Sequence, residues 1–194
     1  MAAEGGCVLE AFREAGALLE GHFLLTSGLH SPKYLQCALV LQDPERAERL
    51  CRELARAVAG REIQCVVGPA IGGIIVAYEM ARALGSRAIF AERVDGRMVL
   101  RRGFAIEPGE RVMLVEDVVT TGGSLREVKD LVTAAGANVV AVAALVDRTS
   151  GRESGLVVPL TALLEIDVPT YSPEECPLCR AGVPLVKPGR TGKK

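Results

Sequence analysis

Two rhythms of apolar positions alternate along the chain. After Asp43-Pro44, residues Ala47, Leu50, Cys51, Leu54 and Val58 recur at helical spacing, and Gly60 closes the run. Asp43 is a good N-cap and Pro44 suits the first helical position. Glu45/Arg49 and Glu48/Arg52 then fall four apart on the solvent face. An earlier helix is predicted over residues 8–19, with Val8, Phe12, Ala15 and Leu19 on one side. Short apolar runs of strand length follow at 63–67, 87–91, 112–115 and 139–146. Between them lie helix-like segments at 74–84 and 124–135, the second striped by Leu125, Val128, Leu131 and Ala135. Continuous apolar strands separated by helices predict an α/β fold around a parallel sheet. The tail from Pro184, with Pro188, Gly189, Arg190, Lys193 and Lys194, is expected to fray.

Composition narrows the class. The 194 residues are 49% hydrophobic and 24% charged, which excludes a disordered or collagen-like chain and leaves room for one domain. With 23 basic and 24 acidic residues the net charge is −1, which argues against broad nucleic-acid binding. The uncharged stretch 65–78 is too short to span a bilayer and is broken by Gly68, Pro69, Gly72 and Gly73. Glu4, Glu10, Arg13 and Glu14 stand where a secretory signal wants a basic start and an apolar run. The expectation is a soluble, cytoplasmic protein with no membrane or nucleic-acid partner. Of the six cysteines, Cys37, Cys51 and Cys65 sit in apolar or helical contexts and read as small core residues. Cys176-Pro177-Leu178-Cys179 has the spacing of half a zinc site, but no second pair is near it in sequence. A reduced surface pair is expected there, and His22 and His30 read as structural.

The chemistry concentrates in residues 112–124, an apolar strand ending in Glu116 and Asp117, then a turn of Thr and Gly, then a helix. Ligands of open parallel sheets bind beyond the carboxyl ends of the strands. The turn Val118-Val119-Thr120-Thr121-Gly122-Gly123-Ser124 offers backbone N–H groups and hydroxyls at a helix N-terminus, a pocket of phosphate size. Gly122 and Gly123 leave no Cβ between backbone and phosphate. Glu116 and Asp117 can accept hydrogen bonds from hydroxyls one sugar away, which describes ribose 5-phosphate. No Gly-Lys-Ser/Thr follows the glycines and no G-x-G-x-x-G occurs, so this is neither a Walker loop nor a dinucleotide fingerprint.

That segment resembles the phosphoribosyl-diphosphate signature of type I phosphoribosyltransferases. Further segments resemble the orotate phosphoribosyltransferases: residues 23–34, with Ser27-Gly28 and Ser31-Pro32, resemble their N-terminal hood; Ala70-Ile71-Gly72-Gly73, after Gly68-Pro69, their diphosphate loop; and Val146-Asp147-Arg148 the strand end that meets orotate. The resemblance covers most of residues 15–150. It implies a Rossmann-like core at about 41–150 with a small hood from about 1–40 and 155–185. It also implies Mg²⁺, held mainly by substrate and water without direct protein ligands, and transfer of ribose 5-phosphate from 5-phosphoribosyl 1-diphosphate to orotate.

Roles follow from the resemblance residue by residue. Glu116 and Asp117 would take the ribose hydroxyls and 118–124 the 5-phosphate, while Ala70 to Gly73 would offer N–H groups to the diphosphate. Thr120, Arg148, Tyr34, Leu35, Thr26 and Ser27 would surround orotate, with Arg148 on its carboxylate. The segment 92–103 carries Arg93, Arg97, Arg101 and Arg102. Its plain reading is a solvated hairpin. The resemblance implies a mobile catalytic loop that reaches the neighbouring site of a homodimer. Family members commonly carry lysines and a histidine on this loop, and lysines where Thr26 and Gly72 stand. This chain has none of these, so Arg101 or Arg102, beside Arg93, is expected to supply the charge. Two other readings share the ribose-phosphate turn: a phosphoribosyltransferase for another base, and a regulator that senses phosphoribosyl diphosphate.

Overall fold

Strands that are apolar on both faces need a layer on each side, and the chain supplies both. The computed structural model describes residues 4–25, 27–151, 155–156 and 158–188, with backbone alone over 4–7. Among these described residues, eight strands and six helices follow in the order α1 (Glu4–Glu14), β1 (Leu18–Leu24), β2 (His30–Leu35), α2 (Cys37–Leu41), α3 (Pro44–Ala57), β3 (Cys65–Pro69), α4 (Gly72–Leu84), β4 (Arg87–Val94), β5 (Arg97–Leu100), β6 (Arg111–Val119), α5 (Gly123–Ala134), β7 (Asn138–Asp147), β8 (Leu160–Glu165) and α6 (Pro177–Arg180). Six strands form one sheet in the order β5-β4-β3-β6-β7-β8, parallel throughout except for the β4–β5 edge pair. Strand alternation divides the core. Val66, Met113, Val115, Ala143 and Leu145 face the side covered by α3 and α4, whereas Val67, Val112, Leu114, Val142 and Ala144 face α5. The α/β class and the parallel sheet are those the apolar pattern predicts.

Several boundaries differ from the pattern. The first helix stops at Glu14, and Leu19 belongs to β1 instead. Gly16 adopts φ +61°; its N–H donates to the Arg13 carbonyl and the Ala17 N–H to that of Phe12. This is a Schellman ending that a glycine makes cheaply. Helix α3 opens as expected, with the Asp43 carboxylate accepting from the Glu45 and Arg46 N–H groups, but it ends at Ala57, before Gly60. Strand β6 does not end at the acids; it runs on through Glu116 and Asp117 to Val119, paired with β7. The arginine-bearing segment is a hairpin, β4–β5, turning at Asp95-Gly96. The tail is tied down further than expected: Val186 bridges Phe23, and its N–H donates to the His22 carbonyl.

A second, two-stranded sheet, β1–β2, stands apart from the first. The C-terminal segment lies along it, joined by the Phe23–Val186 and His30–Tyr171 bridges. Among the described residues, no helix is long and apolar enough to cross a membrane.

Candidate active site

The sheet places the candidate residues by topology. β3 and β6 lie side by side, but their helices α4 and α5 leave toward opposite faces, which opens a crevice at the strands' carboxyl ends. Four neighbouring strands deliver their ends there: β4 with Arg93, β3 with the loop 70–73, β6 with Glu116 onward, and β7 with Arg148. A cavity of about 610 Å³ occupies the crevice, a size suited to a nucleotide-sized ligand.

Two half-buried carboxylates, Glu116 and Asp117, sit in its wall. Glu116 is pushed up to about 8 by burial first and by the neighbouring Asp117 charge second, with the Ser124 hydroxyl pulling the other way. Burial likewise raises Asp117, partly offset by the Val118 N–H, which donates to its Oδ1 at 3.0 Å. The Ser124 hydroxyl and the backbone N–H groups offset this desolvation only in part, so further hydrogen-bond donors or a cation would stabilise the charged pair. Gly72 supports the same cluster from β3's side: a Cβ at Gly72 would stand 2.5 Å from the Asp117 Oδ2, so only glycine lets the loop backbone approach that carboxylate.

Beyond the acids, Thr120, Thr121, Gly122, Gly123 and Ser124 line the cavity at the start of α5. Gly122 occupies the N-cap and no side chain caps the helix, so the first-turn N–H groups face the crevice without a side-chain acceptor. Val119 differs from its neighbours. It is wholly buried in the core and does not line the cavity, although its carbonyl accepts the Arg148 N–H at 2.8 Å and so sets where Arg148 leaves the sheet. Val118 does line it.

Arg148 is 8% exposed, and its Nε has no hydrogen-bond partner among the described residues. Burial lowers its pKa from the ordinary arginine value, with Tyr34 and Cys37 opposing. A buried guanidinium with an unspent donor on a cavity wall is built to receive a planar anion. Tyr34 and Leu35 line the same cavity from β2 and Ser27 from the connection between β1 and β2, while Thr26 lies outside the described residues. Tyr34 is raised by burial and by Asp117, which places the phenol beside the acids.

Of the hairpin arginines, Arg93 alone lines the cavity. It donates to the Gly96 carbonyl and to Glu127 at 2.8 Å. Arg101 and Arg102 instead face Glu92, at 4.0 and 3.1 Å, outside the cavity lining. Ala70, Ile71, Gly72 and Gly73 also fall outside the lining, at the turn from β3 into α4, where Gly72 abuts Asp117. Leu25 and Leu29 line it from the hood-like segment 23–34, and three lining residues carry no sequence signal: Val168, Thr170 and Glu127. The last sits one turn into α5, where the i+4 spacing from Gly123 marks it only in retrospect.

Residues 40–158 match the family described as the phosphoribosyl transferase domain, which sets the class of the protein. An orotate phosphoribosyltransferase from Pelotomaculum thermopropionicum is 58% identical over 182 residues, 94% of this chain and 95% of that one. One from Carboxydothermus hydrogenoformans is 60% identical, covering 92% of this chain and 94% of its own. Among solved structures, an orotate phosphoribosyltransferase from Aeropyrum pernix superposes with a TM-score of 0.67 at 26% identity, over 82% of this chain and 93% of that one. The chain belongs to the orotate phosphoribosyltransferase family.

The Glu116 shift predicts a pH dependence of stability. Between the ordinary value of 4.5 and about 8, the folded chain keeps a proton that the unfolded chain has lost. Stability contributed by this group therefore falls as pH rises through that window and levels off above it. Urea unfolding across the window is expected to show that decline, and Glu116→Gln should flatten most of it. A variant whose midpoints track the unaltered chain at every pH would disprove the raised Glu116 value.

Proposed function

We infer that the chain is a glycosyltransferase that moves ribose 5-phosphate from 5-phosphoribosyl 1-diphosphate to orotate, giving orotidine 5′-monophosphate and diphosphate in pyrimidine biosynthesis. The observation that carries the base specificity is Arg148: a buried guanidinium with an unpartnered Nε, in the same cavity as the two acids. Orotate brings a carboxylate to that fork. Ribose 2′- and 3′-hydroxyls bring hydrogen-bond donors to Glu116 and Asp117, and the 5-phosphate takes the open first turn of α5.

In this reading the bond from ribose C1 to the diphosphate oxygen breaks and one from C1 to the orotate ring nitrogen forms. The displaced nitrogen proton leaves with solvent or diphosphate, and no side chain is assigned as a general base. Glu116 and Asp117 orient the ribose and stabilise positive charge developing at C1. Tyr34 and Leu35 pack the pyrimidine ring, and Thr120, Ser27 and Thr26 complete its surroundings. Ala70 to Gly73 offer backbone donors to the diphosphate. The cluster of hard oxygen donors suits Mg²⁺, with Glu116 and Asp117 facing it through ribose hydroxyls and water. When bound, the ion neutralises charge on the departing diphosphate.

The active form in this proposal is a homodimer, in which the β4–β5 hairpin brings Arg101 or Arg102 to the neighbouring site. Support comes from an apolar stripe, Ile71, Ile75 and Tyr78, respectively 83%, 41% and 63% exposed, that starts at the diphosphate loop and follows α4. The ribbon β1–β2 with residues 155–185 forms the hood, and residues 41–150 the core. A cytoplasmic setting agrees with Cys37, Cys51 and Cys65, which are free and buried.

Three measurements test the proposal. Offered orotate, uracil, adenine and hypoxanthine separately with phosphoribosyl diphosphate and Mg²⁺, the protein should consume orotate; turnover of another base instead would refute the assignment. Arg148→Ala should weaken orotate binding by about 2–5 kcal/mol, because it removes one partner of a desolvated ion pair. Unchanged orotate affinity would take Arg148 out of the site. Tyr78→Glu should shift sedimentation toward the monomer and lower activity, and an unaltered dimer would move the interface elsewhere.

A further inference from the structure

Where the β1–β2 ribbon meets the C-terminal segment, four metal-ligating side chains converge. His22 comes from β1, His30 from β2, and Cys176 and Cys179 from the N-cap and first turn of α6. Their ligand atoms all lie within 4.8 Å of one another. Cys176 is wholly buried, His22 and His30 nearly so, and Cys179 alone is exposed, so the expected surface thiol pair is instead one wall of an interior cluster.

The distances are those of a coordination shell. Tetrahedral zinc, with bonds of about 2.0–2.1 Å to nitrogen and 2.3 Å to sulfur, sets ligand–ligand edges of roughly 3.3 Å (N to N) and 3.6 Å (N to S). His22 Nε2 stands 2.9 Å from His30 Nδ1, and 3.5 and 3.7 Å from the sulfurs of Cys176 and Cys179. Cys179 Sγ is 3.2 Å from His30 Nδ1. The other nitrogen of His22, Nδ1, donates to the Val183 carbonyl at 2.8 Å. A carbonyl only accepts, so the Nδ1 carries the proton and the Nε2 presents its lone pair to the cluster, as an oriented metal-binding histidine does. The backbone prepares this too. A break in the β1–β2 register between Glu20 and Phe23 turns both His22 and Phe23 inward, where a regular strand would alternate them.

We propose that His22, His30, Cys176 and Cys179 bind a zinc ion in a closed structural site that clasps the β1–β2 ribbon to the C-terminal segment. All four positions are filled by protein, which leaves none open for catalysis. Two nitrogens and two thiolates in a tetrahedral arrangement select zinc over the hard, oxygen-seeking cations. The ribbon stands apart from the main sheet, and a metal supplies the cross-link that a small layer lacks. None of the four residues lines the catalytic cavity, so the assignment stands whether or not the orotate reading does.

The test uses the full chain, purified untagged under reducing conditions without chelator. Elemental analysis should find about one zinc per chain after gel filtration, as a closed four-ligand site retains its ion. The Cys176→Ser/Cys179→Ser double variant should carry none and melt at a lower temperature, whereas Cys51→Ser should keep the metal. Chain produced with cobalt in place of zinc should show thiolate-to-cobalt charge transfer and the intense visible bands of a tetrahedral ion. That spectrum is read on the unaltered chain and decides the matter even if the double variant fails to fold. Zinc-free native protein, zinc retained by a folded double variant, a cobalt spectrum without thiolate bands, or a Cys176–Cys179 disulfide in anaerobically purified chain would each overturn the proposal.

Discussion

Two adjacent, half-buried acids in the second half of a central strand are the constraint on which the rest of the structure turns. Folding alone gains nothing from them. Desolvation penalises each charge and the Asp117 charge adds to the penalty on Glu116, which together push Glu116 up to about 8. The penalty stays bearable because β6 is anchored on both sides, by β3 and β7, and because its apolar residues from Val112 to Val115 are fully buried. A strand less firmly held could move its acids out to water.

The neighbouring elements then read as support for that strand end. The crossovers on opposite faces part at β3 and β6, so the acids face a crevice instead of a helix. Gly72 brings the adjacent loop against Asp117, and the uncapped first turn of α5 opens beside Glu116. Arg148 leaves β7 at a height set by the bond from its N–H to the Val119 carbonyl. Acids and guanidinium thus share one cavity without neutralising one another, which suits a ligand with hydroxyls at one end and a carboxylate at the other. The β1–β2 ribbon contributes Tyr34 and Leu35 to the cavity, and the Cys–His cluster joins the same ribbon to the C-terminal segment outside the cavity lining.

The layout was legible wherever local pattern and burial agree. Strands β3, β4, β6 and β7 are apolar on both faces for most of their length, and α3 announces itself through Asp43, Pro44 and a clean helical stripe. The turn 120–124 could be placed because strand, glycines and helix follow one another directly. Elsewhere, tertiary contacts decide. Strand β8 is a short segment whose pairing with β7 depends on a partner in the middle of the chain, and its own periodicity does not set it apart. Leu19 fits the stripe of α1, yet Gly16 ends that helix through a backbone turn that periodicity does not register. The Cys–His cluster was legible only as half a zinc site, Cys176 and Cys179, because His22 and His30 lie at least 146 residues away in sequence, from His30 to Cys176, and look ordinary alone. The lining residues Val168 and Thr170 escaped for the same reason.

The most direct measurement is the titration of the Glu116 carboxylate by carbon-13 NMR, assigned with Glu116→Gln, in the free protein and with orotidine 5′-monophosphate bound. In the free chain it should titrate near 8. Ribose hydroxyls donating to it favour the charged form, so nucleotide binding should bring the value down into the ordinary carboxylate range. A Glu116 that titrates as an ordinary glutamate in the free chain, or one whose value ignores the nucleotide, would contradict the assignment of the paired acids to the sugar.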